Sequence, residues 1–257
     1  IGVMAVDMLR SPVESLTQQG YKPACLGITN MRETAVAWHR NTGEPLHNAI
    51  HWMSTQSESQ VDRWREDGTG ERIARLTGLS NESFFFGSKI RWLLDESHLA
   101  SRLAKSGELC VGTLDAWLLH TLTNGARYAT DVSNASRYQI LNLETAQWDA
   151  ELARAVGIEA AQLPEIVPTH GIFGASNSAA VGAEIPITGL IADQQASLLG
   201  HGATEPGDTK ITFGTSGVVC LNLGTSPRIE PGLATSIAWS GQSLQERVYE
   251  IAASAFH

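Results

Sequence analysis

Basic charge is scarce in this 257-residue chain: 18 Lys and Arg stand against 27 Asp and Glu, a formal net charge of −9, and no run of basic residues occurs. That balance argues against nucleic acid or an anionic membrane as the main partner. Long apolar runs are also missing, all of them well short of the roughly 18 residues of a membrane span. The apolar Ile1–Leu9 stretch has no charged lead and is interrupted by Asp7, so it does not read as a signal peptide. It reads instead as a helix whose earlier residues lie outside the sequence, which fits the lack of an initial Met. Cysteine is limited to Cys25, Cys110 and Cys220, without C-x-x-C spacing. This excludes a cysteine zinc site and fits a reducing, cytoplasmic setting, with the thiols expected as small buried apolar filler. No H-E-x-x-H pattern is present, and the nearest histidine pair, His47 and His51, lies in a strand-like run with Pro45. No metal site built from these side chains is expected.

What is present is a globular composition, 42% apolar and 18% charged. The length accommodates one large domain or two smaller ones. Residues 1–19 read as a helix despite Pro12. Short runs at 24–29, 34–39 and 48–52 have strand character. The period then changes to 3.6, predicting helices over 57–67, 70–77, 88–95, 98–105 and 113–123. Residues 137–143 read as a strand, and 149–156 as a helix capped by Asp149. An apolar strand over 185–192 leads into a helix start at 194–199. Beyond the turn at Pro206-Gly207-Asp208, three strand-like runs follow at 209–213, 218–223 and 234–239. The expected boundary lies near 201–207, with a mixed α/β domain over 1–202 and the opening of a second domain over 203–257. A three-stranded meander with so little chain after it would leave one sheet face poorly covered. The chain is therefore expected to be cut, or to need a partner.

Four constellations carry chemical interest. Gly189–Asp193-Gln194-Gln195 ends an apolar strand at a carboxylate just before a helix. Ligands of open α/β sheets bind beyond the carboxyl ends of strands, where Asp193 is placed to accept a proton from a hydroxyl; it serves equally as a helix cap. In Thr29–Thr34, Arg32 and Glu33 point to opposite faces if extended and converge only in a loop, where they would offer a donor and an acceptor to a polyol. Taken alone, that segment reads rather as an exposed ion pair. Phe213-Gly-Thr-Ser-Gly217 is a Gly-rich turn whose N–H groups can cradle phosphate, although a plain hairpin is the commoner reading; no Walker Lys follows. Phe84-Phe85-Phe86, with Trp52 upstream, reads as core or as the wall of a small pocket.

In order and context these segments resemble a known family. Ile28–Thr34 is similar to Ile-Thr-Asn-Gln-Arg-Glu-Thr, and Phe85–Asp95 to Phe-Ser-Gly-Thr-Lys-x-x-Trp-x-x-Asp. Gly112–Leu118 is similar to Gly-Thr-x-Asp-x-Trp-Leu, and Thr130–Arg137 to Thr-Asp-x-Thr-Asn-Ala-Ser-Arg. Ala192–Ser197 is similar to Gly-Asp-Gln-Gln-Ala-Ala, and Phe213–Gly217 to Tyr-Gly-Thr-Gly. The resemblance covers nearly the whole chain and is to the FGGY carbohydrate kinases, on the glycerol kinase branch.

It implies an α/β, actin-like (ribonuclease-H-like) ATPase fold, with most of a first domain and the opening β-meander of a second. It implies ATP-dependent phosphorylation of a small polyol, glycerol first, with Asp193 as general base. By the same resemblance Arg32, Glu33, Phe84, Gln194 and Trp52 bind substrate, and Gly214 and Thr215 bind nucleotide. ATP and Mg²⁺ are the expected cofactors; the sequence gives no oligomeric state, although homo-oligomers, dimers or tetramers, are usual in the resembling family. Departures point away from glycerol itself. The family has Tyr at Phe84, and its Trp-Gln-Asp-x-Arg is replaced by Trp52-Met53-Ser54-Thr55-Gln56; Ser216-Gly217 is closer to the sugar kinases. The family's Asp-x-Gly-Thr-Thr strand and most of its second domain are absent, so the chain alone is not expected to be a competent kinase. Alternatives are a ketose kinase of the same superfamily and a degenerate, non-catalytic binding or interaction module.

Overall fold

A computed structural model describes residues 2–213 and 216–256. The chain opens with α1 (Gly2–Gln18), which runs through the exposed Pro12, and turns into β1 (Leu26–Asn30). A hairpin-like excursion follows through β2 (Val36–His39), then four helices: α2 (Glu58–Glu66), α3 (Thr69–Thr77), α4 (Phe86–Glu96) and α5 (His98–Ser106). Next come β3 (Leu109–Gly112), α6 (Leu114–Leu122), β4 (Ala129–Asp131) and the one-turn α7 (Val132–Ala135). Two-residue strands β5 (Leu141–Asn142) and β6 (Gln147–Trp148) precede α8 (Ala150–Val156). The order continues with β7 (Glu165–Val167), α9 (Ser178–Val181), β8 (Ile187–Ala192), α10 (Asp193–Gly200), β9 (Thr209–Phe213), β10 (Ser216–Gly224), β11 (Ala234–Ser240) and β12 (Arg247–Phe256).

The pairing that positions everything else is parallel, β1 against β8, with Ile28 opposite Leu190 and Asn30 opposite Ala192. Both strands are apolar where they meet α1, α6 and α9. Val13, Ile28, Leu119, Leu122, Ile187 and Leu190 form one core there. Because the strands are parallel, their carboxyl ends lie side by side and the segments that follow must emerge together. A second core is built by Trp64, Phe86, Ile90, Leu93, Leu109, Tyr138 and Leu152, which pack the helices α2–α5 and α8 on β2 and β3. This is the one-sided apolar stripe of α4 meeting its partners.

The last four strands form an antiparallel sheet of order β11-β12-β10-β9. One face rests on the first part of the chain. Leu198 of α10 packs with Val218, Cys220, Ala238 and Ala252, and Val132 and Ala135 of α7 pack with Ile237 and Tyr249. The seam is hydrogen-bonded as well: Thr235 N–H donates to the Gly78 carbonyl at 2.9 Å, and Ile237 N–H to Ser136 Oγ at 3.2 Å. On the opposite face Ile211, Phe213 and Val219 are exposed.

Three expectations are corrected. Residues 48–52 make a single bridge, Ile50 to Ala35, and then turn, because the Ser54 N–H bonds back to His51. Residues 137–143 are mostly a tight turn. Gln139 is left-handed (φ 61°), and only Leu141–Asn142 is extended, because the buried Arg137 and Tyr138 are held by partners elsewhere. The sheet is not a simple three-stranded meander: β12 inserts between β10 and β11. Its buried Glu250 breaks the apolar pattern that would have revealed the strand.

Gly78 caps α3 with φ 70°, and a Cβ there would lie 2.8 Å from the Thr235 carbonyl. Gly78→Ala is therefore expected to lower the unfolding free energy by about 1–3 kcal/mol. A urea midpoint equal to that of the unmodified chain would contradict the close seam.

Candidate active site

Beyond the end of β1 the chain makes a very tight turn. Thr34 N–H donates to the Arg32 carbonyl at 2.7 Å, and Glu33 takes the left-handed conformation (φ 60°) that few non-glycine residues adopt. The turn solves the problem of alternation, since Arg32 and Glu33 no longer point apart. Arg32 Nε lies 3.5 Å from Glu33 Oε1, and both side chains are buried, so the reading of an exposed ion pair is corrected. Beyond the end of β8, Asp193 is the first residue of α10. Its half-exposed carboxylate lies 4.0 Å from Arg32 Nε and accepts from the Gln194 N–H at 2.7 Å. Ala192, not Asp193, occupies the capping position.

Further charges gather behind this pair. Arg137 Nε donates to Glu33 Oε1 at 2.6 Å, its Nη1 to Ser236 Oγ at 3.1 Å, and its guanidinium lies over the Phe85 ring. Glu250, fully buried on β12, has its Oε1 at 3.6 Å from Arg32 Nη1. Lys89 is also fully buried and donates to the carbonyls of Phe84 and Phe85. Lys210 donates to Gln194 Oε1 at 2.9 Å.

Burial sets the electrostatics. It pushes the Asp193 carboxyl above its ordinary value, against the pull of Arg32. It drives the Lys89 ammonium down to about 7, with Glu33 resisting. For Arg32, burial lowers the pKa, but Glu33, Glu250 and Asp193 together outweigh it, and the net shift is upward.

A cavity of about 300 Å³ opens over these groups. Met31, Arg32, Glu33, Asp193 and Gln194 line one side; Trp52, Phe84 and Phe85 form an aromatic wall; and Val218, Ala234 and Ala252 of the second sheet, with Leu233 just before β11, line the rest. Trp52 meets Phe84 edge to face at 5.4 Å, and Phe84 meets Phe85 likewise at 5.2 Å. Arg32, Glu33, Trp52, Phe84, Asp193 and Gln194 thus come together around one space. Gly214 and Thr215 lie outside the described residues. Among the described residues no cluster of three His, Cys, Asp or Glu is placed to hold a metal ion. Arg137, Lys89 and Glu250 escaped the sequence reading. The signal available was a charge set within or beside an apolar run, which is rare in a core unless paired.

A buried polar hub fixes both strand ends. Asn30 and Asn134 exchange side-chain hydrogen bonds at 3.0 and 3.1 Å. Ser133 Oγ accepts from the Ala192 N–H at 2.9 Å. Asp131 in turn accepts from the Ser133 hydroxyl, the Asn134 side chain and the Thr169 hydroxyl. Burial, helped by the nearby Asp115 carboxylate, pushes the Asp131 carboxyl up to about 6.

Comparison with known proteins places this geometry. The model of the FGGY family of carbohydrate kinases, N-terminal domain, matches residues 7–200. A glycerol kinase of Chromobacterium violaceum is 42% identical over 240 residues, covering 93% of this chain and 47% of that protein. One of Thermus brockianus is 44% identical over 230 residues, covering 88% and 46%. The crystal structure of Plasmodium falciparum glycerol kinase with ADP superposes with a TM-score of 0.93 at 31% identity, covering 98% of this chain and 51% of that one. A gluconate kinase of Lactobacillus acidophilus shares the fold, with a TM-score of 0.81 at 21% identity over 97% of this chain and 49% of that one. The chain spans about half the length of the curated relatives it matches.

A carboxyl whose folded pKa is raised binds its proton more tightly in the folded state. Its contribution is full below the unfolded value and is lost as pH climbs to the folded one. The chain should therefore lose stability between about pH 4 and the Asp131 value of about 6. Asp131→Asn should flatten that slope in urea titrations, and an unchanged slope would assign it to other groups.

Proposed function

The chain belongs to the FGGY family of carbohydrate kinases, with their actin-like, ribonuclease-H-like ATPase fold, and on that premise we propose that its parent protein phosphorylates a small polyol with ATP. Glycerol, giving glycerol 3-phosphate, is the acceptor this reading favours. The observation that carries it is the position of Asp193, a half-exposed carboxylate with a raised pKa beside the Arg32–Glu33 pair in one small cavity.

In this reading Arg32 donates to acceptor oxygens and Glu33 accepts from acceptor hydroxyls. Gln194 and the Trp52–Phe84 wall confine the carbon chain. Asp193 takes the proton of the hydroxyl that attacks the terminal phosphorus of ATP, and ADP leaves with the bridging oxygen. Its upward shift brings the carboxylate nearer to the basicity that this proton transfer requires. Phosphoryl transfer of this kind depends on positioning and charge neutralisation, and the donor's Mg²⁺ supplies part of the latter. Closure of the second sheet over the cavity excludes water. The cavity volume lies at the small end for ligand pockets, which suits a short acceptor.

The proposal also divides the chain into a substrate domain over 1–202 and the start of a nucleotide domain over 203–257, where Gly214 and Thr215 would meet the donor. The match to the family's N-terminal domain, ending at residue 200, supports that division. A cytoplasmic setting fits the three free cysteines. No helix among the described residues is long and apolar enough to cross a membrane.

A second reading, a ketose kinase, is favoured by Phe84, which brings no hydroxyl to the cavity. In the full-length protein, Asp193→Asn should cut kcat by about 10²–10⁴-fold while leaving acceptor binding largely intact. Turnover close to that of the unmodified enzyme would remove Asp193 as base. Phe84→Tyr should lower the KM for glycerol by roughly 5–10-fold, by adding one hydrogen bond. If the KM falls for a ketose and not for glycerol, the second reading replaces the first.

A further inference from the structure

Glu250 belongs to none of the segments singled out in the sequence, and it lies behind the cavity wall, yet it is one of the most completely buried charges in the chain. Its Oε1 accepts from Ser236 Oγ at 3.2 Å and from the Gln195 side-chain amide, and it faces Arg32 Nη1 at 3.6 Å. Two atoms of this group are left over. Arg32 Nη1 and Glu250 Oε2 are both buried without a hydrogen-bond partner among the described residues. Such atoms are expensive to bury unpaired, and here they belong to the two sides of one ion pair.

The other carboxylates do not serve that edge of the guanidinium. Glu33 Oε1 faces Arg32 Nε and is already engaged by Arg137 at 2.6 Å. Asp193 faces Nε as well. Glu250 is thus the carboxylate that meets the Nη1 edge, and it comes from a different sheet than the loop that carries Arg32.

We infer that Glu250 is a positioning residue for Arg32: from β12 it holds the Nη1 edge, so that the remaining N–H groups are aimed into the cavity at an acceptor oxygen. The inference rests on the acceptor site proposed above. Its consequence is that seating of the second sheet and orientation of the substrate-binding cation are one event. A guanidinium is needed at position 32, because its planar fork serves Nε and Nη1 partners at once, which an ammonium does not.

The test uses the full-length protein, with glycerol as acceptor. Glu250→Gln keeps the shape and removes the charge. It should raise the glycerol KM about tenfold, with kcat and the KM for ATP nearly unchanged. Glu250→Asp should give an intermediate KM, and it carries the test if the Gln variant folds poorly. In an Arg32→Lys background, Glu250→Gln should have no further effect. Additive effects, or a loss confined to kcat, overturn the inference. A second readout is independent of turnover: side-chain proton exchange in ¹⁵N-arginine-labelled protein. Glu250→Gln should speed exchange at Arg32 about tenfold and leave Arg137 unchanged. Unchanged exchange at Arg32 overturns the inference whether or not the protein phosphorylates anything. Faster exchange in a protein that binds no glycerol upholds the pairing and removes the polyol reading instead.

Discussion

Charge balance in a buried space is the constraint on which this structure turns. Arg32 and Arg137 are buried beside Glu33 and Glu250, and neither guanidinium can shed its proton to escape the low dielectric. Removing one carboxylate of such a group strands a cation at a cost of about 3–5 kcal/mol. The four side chains come from three distant stretches: the turn after β1, the turn after α7, and β12. Their mutual neutralisation therefore ties together the parallel pair, the helical layer and the second sheet. Asp193, half-exposed at the edge of this group, is the carboxylate left partly open to the cavity.

The backbone arrangement makes that balance possible. Parallel pairing of β1 and β8 brings two loops to one end, and the hub of Asp131, Ser133, Asn134 and Asn30 fixes both strand ends from below. The left-handed turn at Glu33 is uncommon backbone that the buried pair with Arg137 stabilises. Local strain, strand register and electrostatics thus converge on the same few atoms.

Much of this was legible in the sequence, and the gaps have physical causes. The helices between residues 58 and 122 follow from apolar periodicity, and Asp193 follows from a carboxylate closing an apolar strand. Burial of Arg32 and Glu33 was not legible, because it depends on a turn geometry that the adjacent pair of charges does not announce. Residues 137–143 read as a strand because Tyr138, Ile140 and Leu141 are apolar. In the fold, Tyr138 instead hydrogen-bonds Thr113 and Arg137 bonds Glu33, so tertiary partners override local alternation. The strand β12 escapes notice for the opposite reason: a charge, Glu250, sits among the buried residues Tyr249–Ala252 and interrupts their apolar pattern.

On the proposed function, the cavity over Arg32, Glu33 and Asp193 receives a polyol with one hydroxyl presented to Asp193. A crystal structure of the full-length protein with glycerol tests it most directly. The expected density shows a glycerol hydroxyl within hydrogen-bonding reach of the Asp193 carboxylate, with the other hydroxyls on Arg32 and Glu33. Glycerol bound elsewhere, or an Asp193 carboxylate turned away from it into solvent, would rule out Asp193 as the base for a polyol held in this cavity.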